Sequence, residues 1–113
     1  MKITLYHNQQ CSKSRQTLAL LQENGVEVSI IEYLKTPLTV AELETLAQKL
    51  DLEPREFMRH GESEYENFVD KNLTRQMLLE AIVKYPRLLE RPIAVTETKA
   101  AIGRPPENVL ALL

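Results

Sequence analysis

The chain has 113 residues, of which 43% are hydrophobic and 27% are charged, and its formal net charge is −2. This profile is typical of one globular domain and argues against disorder. The slightly acidic balance argues against a general nucleic-acid-binding protein, and the single cysteine excludes an internal disulfide. Since no apolar run approaches the roughly 18 residues of a membrane span and no signal-peptide pattern is present, we expect a cytoplasmic protein with no nucleic-acid or membrane partner.

The first third of the chain predicts a strand, a helix and a second strand. A short apolar run at residues 2–6 predicts the first strand, and the helical spacing of apolar residues after it predicts a helix that ends at Asn24-Gly25. The alternation in VEVSIIEY, residues 26–33, predicts the second strand. The residues expected to share one of its faces are Val26, Val28 and Ile30. A strand, a helix and a strand joined by short connections form a right-handed βαβ unit, in which the helix crosses over the sheet. The two strands should therefore be parallel.

The middle of the chain, residues 36–89, predicts a helical insert. Thr39 and Glu42 have the spacing of a capping box that opens one helix. Thr74 is expected to cap a second helix, which ends before Pro86. The polar stretch between these two helices should contain short helical turns at best.

The last part of the chain returns to strands. RPIAVT (residues 91–96) and TKAAI (residues 98–102) predict a hairpin, and ENVLALL (residues 107–113) predicts a closing helix with proline near its first turn. The order β-α-β, helices, β-β-α predicts an α/β protein with a thioredoxin-like mixed four-stranded sheet. We expect one domain, residues 1–113, with the insert inside it.

The only cysteine, Cys11, lies in the predicted loop that enters the first helix, within YHNQQCSKSR. The first N–H groups of a helix have no internal partners and carry partial positive charge, so a thiolate there is stabilised and its pKa is expected below the free value of about 8.5. Arg15, one turn further on, adds positive charge, and the hydroxyls of Ser12 and Ser14 can cap the helix or bind an anion. A half-buried structural cysteine is the alternative, and the polar neighbours favour a reactive thiol.

The sequence around the thiol constrains its redox chemistry. A dithiol oxidoreductase would have a second cysteine at position 14, where this chain has Ser14. An oxidised Cys11 must therefore be reduced by a thiol from outside the chain. The chain also lacks cysteine–histidine spacing suited to a metal and a glycine-rich phosphate loop.

Three arginines lie in turn-like contexts and suggest an anion site. Arg91 and Arg104 each precede a proline, which keeps the preceding residue extended and gives the guanidinium a defined direction. Arg59 lies in the polar middle of the chain. Taken singly, each arginine is more often a solvated surface charge than an anion ligand. His7 is either a group that tunes the thiol or a hydrogen-bonded structural residue.

These motifs together resemble one known family. YHNQQCSKSR resembles the H-N-P-x-C-[GS]-x-S-R opening of the glutaredoxin-coupled arsenate reductases, and RPIAV and IGRPPE resemble that family's later arginine motifs. The resemblance covers essentially the whole chain and is strongest to the short bacterial branch. The chain departs from the pattern at Gln9, where the family has proline, and at Ser12-Lys13, where well-studied members have glycine and threonine.

The resemblance implies a mechanism and a set of site residues. Cys11 matches the nucleophile that forms a covalent adduct with arsenate, and Pro92 matches the cis-proline of thioredoxin-like folds. The residues matched to binding of arsenate or another small oxyanion are Arg59, Arg91 and Arg104. The residues matched to tuning of the thiol are His7, Ser14 and Arg15. Glutathione is implied as co-substrate and glutaredoxin as protein partner, with no bound cofactor and no metal.

Two other functions remain consistent with the residues. A glutathione-linked thiol oxidoreductase acting on another substrate would use the same cysteine and arginines. Spx-type regulators share the fold and bind RNA polymerase, but their redox switch usually needs the C-x-x-C pair that Ser14 removes here.

Overall fold

The structure, a computed structural model, describes all residues from 1 to 113. Its strands are β1 (Lys2–His7), β2 (Glu27–Glu32), β3 (Ile93–Val95) and β4 (Ala100–Ile102). Its α-helices are α1 (Ser12–Glu23), α2 (Val40–Leu50) and α3 (Arg75–Lys84), and its 3₁₀ helices are Pro54–Phe57, Ser63–Phe68, Pro86–Leu88 and Pro106–Leu112. The chain divides into two compact units, residues 1–36 with 91–113 and residues 37–90. The expectation of a single domain with an insert stays a prediction. None of the helices is long and apolar enough to span a bilayer.

The first unit is built on a four-stranded sheet of order β2-β1-β3-β4. β1 is parallel to β2, and β3 is antiparallel to both β1 and β4. In this register Leu5 of β1 lies opposite Ile30 of β2 on one side and Ala94 of β3 on the other. The predicted α/β fold class, with a mixed four-stranded thioredoxin-like sheet, is confirmed.

Helix α1 packs against this sheet and closes the core of the first unit. It ends at Glu23 with Asn24 as its C-cap residue, and Gly25 follows with φ 75°, a left-handed conformation that glycine adopts without a Cβ clash. The buried core cluster of this unit consists of Ile3, Leu5, Leu21, Val26, Ala94, Val109 and Leu112. The helix is therefore anchored by its apolar face, and its N-terminal end carries the loop with the cysteine.

Strand β2 is an edge strand, and burial falls along the face that its alternation predicts. Val26 is buried, Val28 is half-buried, and Ile30 is 47% exposed. An edge strand has a neighbour on one side only, so its far end has less of the core to cover it.

The second unit contains the two capped helices that the sequence predicts. Thr39 Oγ1 accepts from the Glu42 N–H, and the Glu42 carboxylate accepts from the Thr39 N–H, which completes the capping box of α2. Thr74 Oγ1 accepts from the Met77 N–H at the start of α3. The polar stretch between the helices forms two short 3₁₀ helices, in agreement with the prediction of short turns.

The closing helix is a 3₁₀ helix, so the expected helix is present with a tighter winding. Its buried residues are Pro106, Val109 and Leu112. These residues recur every three positions, which places them on one face of a helix with three residues per turn.

Candidate active site

The loop between β1 and α1 is organised by Asn8. The Asn8 carbonyl accepts from the Cys11 N–H at 2.9 Å, and its side-chain oxygen accepts from the Gln10 N–H at 3.0 Å. The Asn8 N–H donates to Ser14 Oγ at 3.0 Å. Three hydrogen bonds therefore fix the turn that presents the thiol.

Cys11 is the N-cap residue of α1, as the sequence predicts for a thiol at a strand–helix junction. It has φ −92° and ψ 124°, it is partly exposed, and its side chain makes no capping hydrogen bond. The first helix turn has neither a side-chain cap nor an acidic residue. Its N–H groups are therefore available to an anion beside the sulfur.

Arg104 is the cation that contacts the thiol. Its Nη2 donates to Cys11 Sγ at 3.6 Å, and its Nε donates to the Arg91 carbonyl at 2.6 Å. The second contact holds the guanidinium plane in place through Nε. A guanidinium fixed in this way can face both the sulfur and a bound oxyanion, because its donors form a rigid planar fork.

Arg91 has donors without partners. Its Nε and Nη1 atoms are buried and make no hydrogen bond. Buried polar groups are nearly always paired, so two orphaned donors on one guanidinium indicate a position for an acceptor ligand. The Arg91–Pro92 peptide bond is cis, and so is Arg104–Pro105, which the sequence analysis does not predict.

His7 is buried at the end of β1, and its Nδ1 has no hydrogen-bond partner. Burial lowers the pKa of its imidazole, Glu32 opposes this shift, and the charge of Arg15 adds to it. The lowered pKa favours the neutral form of the His7 imidazole.

Ser14 and Arg15 are engaged by the loop. Ser14 is fully buried and accepts from the Asn8 N–H at 3.0 Å. Arg15 is exposed, and its Nη1 donates to the Gln9 carbonyl at 2.9 Å. The structure shows no hydrogen bond between Arg15 and the Cys11 sulfur. Their assignment to tuning of the thiol stays a prediction.

Arg59 belongs to the second unit, and its hydrogen bonds and ion pairs lie within residues 37–90. Its N–H donates to the Leu88 carbonyl at 2.6 Å, and its guanidinium pairs with the Glu62 carboxylate and lies 3.8 Å from Glu90 Oε1. The guanidinium is thus partly neutralised by two carboxylates. A role for Arg59 in oxyanion binding stays a prediction.

Comparison with known proteins identifies the family. The model of the ArsC family matches residues 6–112. The chain belongs to the ArsC family. The resemblance seen in the cysteine and arginine motifs is confirmed by this match.

Relatives of similar length include proteins named arsenate reductase. The chain is 42% identical to "Arsenate reductase" of Haemophilus influenzae, with 100% of both chains covered. It is 47% identical to "Uncharacterized protein YfgD" of Escherichia coli (strain K12), with 99% of this chain and 97% of the relative covered. A solved structure of arsenate reductase from Vibrio cholerae is 46% identical and superposes with a TM-score of 0.98, over 100% of this chain and 98% of the other.

The structure also shows contributors that sequence reasoning on this ArsC-family chain misses. Asn8 is one, and its signal is available in the sequence, since asparagine commonly bonds to backbone groups two residues on. The close packing of Thr17, Pro92 and Gly103 is another, and no local sequence pattern predicts it, because the three residues lie far apart in the chain. No group of three or more histidine, cysteine, aspartate or glutamate side chains is placed to hold a metal ion.

Proposed function

We propose that the protein is an oxidoreductase that reduces arsenate to arsenite, with Cys11 as nucleophile, glutathione as co-substrate and glutaredoxin as partner. The observation that carries the proposal is the pairing of Cys11 Sγ with Arg104 Nη2 at 3.6 Å, together with the buried, unpartnered donors of Arg91, the residue whose carbonyl holds Arg104. A thiol nucleophile and an anion-binding site meet at one helix N-terminus. The family membership and the names of the relatives support arsenate as the anion.

Oxyanion binding is assigned to the arginines and the helix end. Arg91 offers two buried N–H donors, and the first turn of α1 offers backbone N–H groups. Charge-assisted hydrogen bonds from guanidinium to oxyanion are among the stronger ones in proteins. Arg59 is proposed as a third ligand on the family resemblance. Phosphate and sulfate have nearly the same shape as arsenate, so both should compete for the site.

The reaction follows from the chemistry of the thiol. The Cys11 thiolate attacks arsenic, an As–S bond forms, and an oxygen leaves as water after protonation. The glutathione thiol then attacks the adduct, and two electrons pass to arsenic as the two sulfurs become a mixed disulfide. Arsenic leaves as arsenite. Because position 14 is serine, the mixed disulfide is reduced from outside, and glutaredoxin with a further glutathione restores the Cys11 thiol.

Arsenate-dependent NADPH oxidation tests the proposal, measured with glutathione, glutathione reductase and glutaredoxin. Wild type should turn over, and Cys11→Ser should lose turnover with unchanged circular dichroism. Arg91→Ala should raise the arsenate KM, because two buried donors are lost. Arg87→Ala is the matched control, since that arginine is 65% exposed and bonds only to Glu62 and Glu64.

Several results would contradict the mechanism. Turnover by Cys11→Ser would exclude the thiol as nucleophile. Turnover that stays unchanged when glutaredoxin is left out, and that does not depend on the glutathione concentration, would exclude the external-thiol cycle. Equal KM values for the Arg91→Ala and Arg87→Ala variants would remove Arg91 from the anion site.

A further inference from the structure

Gly103 lies where three parts of the first unit pack closely. It is buried, and a Cβ built on it would lie 2.6 Å from Thr17 Oγ1, 3.2 Å from Thr17 Cγ2 and 2.8 Å from Pro92 Cγ. Its φ does not lie in the left-handed region, so the backbone conformation does not require glycine. What this position requires is the absence of a side chain.

The same position ties together the two segments that carry the site arginines. The Gly103 N–H donates to the Pro92 carbonyl at 2.9 Å, and Arg104 Nε donates to the Arg91 carbonyl at 2.6 Å. With these two bonds in place, Arg104 Nη2 lies 3.6 Å from Cys11 Sγ. The reach of Arg104 to the sulfur therefore depends on how closely Gly103 approaches α1.

Thr17 forms the α1 side of the contact. It is fully buried, and its Oγ1 donates to the Lys13 carbonyl one turn earlier at 2.8 Å. That bond selects the side-chain rotamer and so fixes which Thr17 atoms face Gly103. Thr17 and Cys11 belong to the same rigid helix end, so the contact relates the sulfur to the Arg104 segment.

We propose that Thr17 and Gly103 are positioning residues for the thiol site: their close contact sets the distance between the Cys11 end of α1 and the Arg104 guanidinium. Neither side chain touches the sulfur. The inference concerns the Cys11–Arg104 pair, and it rests on the proposed function only for the identity of the substrate.

The test compares Gly103→Ala, Thr17→Ala, Thr17→Ser and the double variant Thr17→Ala/Gly103→Ala. The readout is the rate of Cys11 alkylation by iodoacetamide at pH 7 divided by the rate at pH 9.5. Dividing the two rates cancels changes in access to the sulfur, so the ratio follows how the surrounding groups act on the thiol. Gly61→Ala is the matched glycine control, because a Cβ there meets nothing within 4 Å.

Gly103→Ala should lower the ratio about three- to tenfold, because the added methyl separates Arg104 from the sulfur and a charge-assisted hydrogen bond is lost. Thr17→Ala/Gly103→Ala should recover part of the lost ratio, since deleting the Thr17 atoms removes the contacts at 2.6 and 3.2 Å, while the contact with Pro92 Cγ at 2.8 Å remains. Thr17→Ser retains the Oγ1 contact and should match wild type, as should Gly61→Ala.

An unchanged ratio in Gly103→Ala would overturn the proposal, and so would a double variant as low as Gly103→Ala alone. If Gly103→Ala fails to fold by circular dichroism, Thr17→Ala decides, with a ratio lowered about twofold expected from the loosened contact and a wild-type ratio refuting it. The alkylation assay contains no arsenate. Absence of arsenate turnover in wild type would thus reject the proposed function while leaving this inference standing.

Discussion

Replacing Ser14 with alanine should destabilise the cysteine loop and thereby the protein. Ser14 Oγ is the only side-chain acceptor for the Asn8 N–H, at 3.0 Å, and Ser14 is fully buried. Its removal leaves the Asn8 N–H, a part-buried backbone donor, without this partner. The expected loss is about 1 kcal/mol of unfolding free energy, rising towards about 3 kcal/mol if the donor stays unsatisfied.

Urea unfolding followed by circular dichroism measures this loss. With a slope of about 2 kcal/mol per molar, a loss of 2 kcal/mol moves the midpoint down by about 1 M. Ser12→Ala is the matched control, because Ser12 is exposed and α1 has no side-chain cap; it should stay within about 0.5 kcal/mol of wild type. A Ser14→Ala midpoint equal to that of Ser12→Ala, at unchanged slope, would refute the reasoning.

Two further predictions concern pH and helix capping. Burial lowers the pKa of His7, so between that lowered value and the ordinary value of about 6.5 the unfolded chain binds a proton that the folded protein does not. The unfolding free energy should therefore fall as the pH drops below about 6.5. The His7→Phe variant should show a shallower fall between pH 7 and pH 5. Parallel curves of unfolding free energy against pH for the two proteins would contradict this assignment. Thr39→Ala removes the acceptor for the Glu42 N–H and should cost about 1 kcal/mol in urea unfolding. Thr45→Ala is its control, since the Thr45 hydroxyl only donates to the Ala41 carbonyl within α2, and equal midpoints for the two variants would show that the cap contributes nothing.

Local patterns in the sequence were sufficient for the strands and for the three α-helices. The capping box at Thr39 and the stop at Asn24-Gly25 act within one helical turn, so they are readable without a fold. The alternating strands and the short connection around α1 were likewise sufficient for the parallel β1–β2 pair. The winding of the closing helix was not, because an apolar repeat over seven residues distinguishes poorly between 3.0 and 3.6 residues per turn.

The sequence by itself determined the place of the thiol at a helix N-terminus and the family to which the chain belongs, because both depend on residues that are contiguous in the chain. Only the tertiary structure decided which cation reaches the sulfur. Arg15 lies one turn from Cys11, yet it donates to the Gln9 carbonyl, while Arg104, 93 residues away, donates to Cys11 Sγ. Arg15 is exposed and bonds to a carbonyl of its own loop. The direction of the Arg104 guanidinium is set by its bond to the Arg91 carbonyl, and that partner is in place only once the sheet has formed.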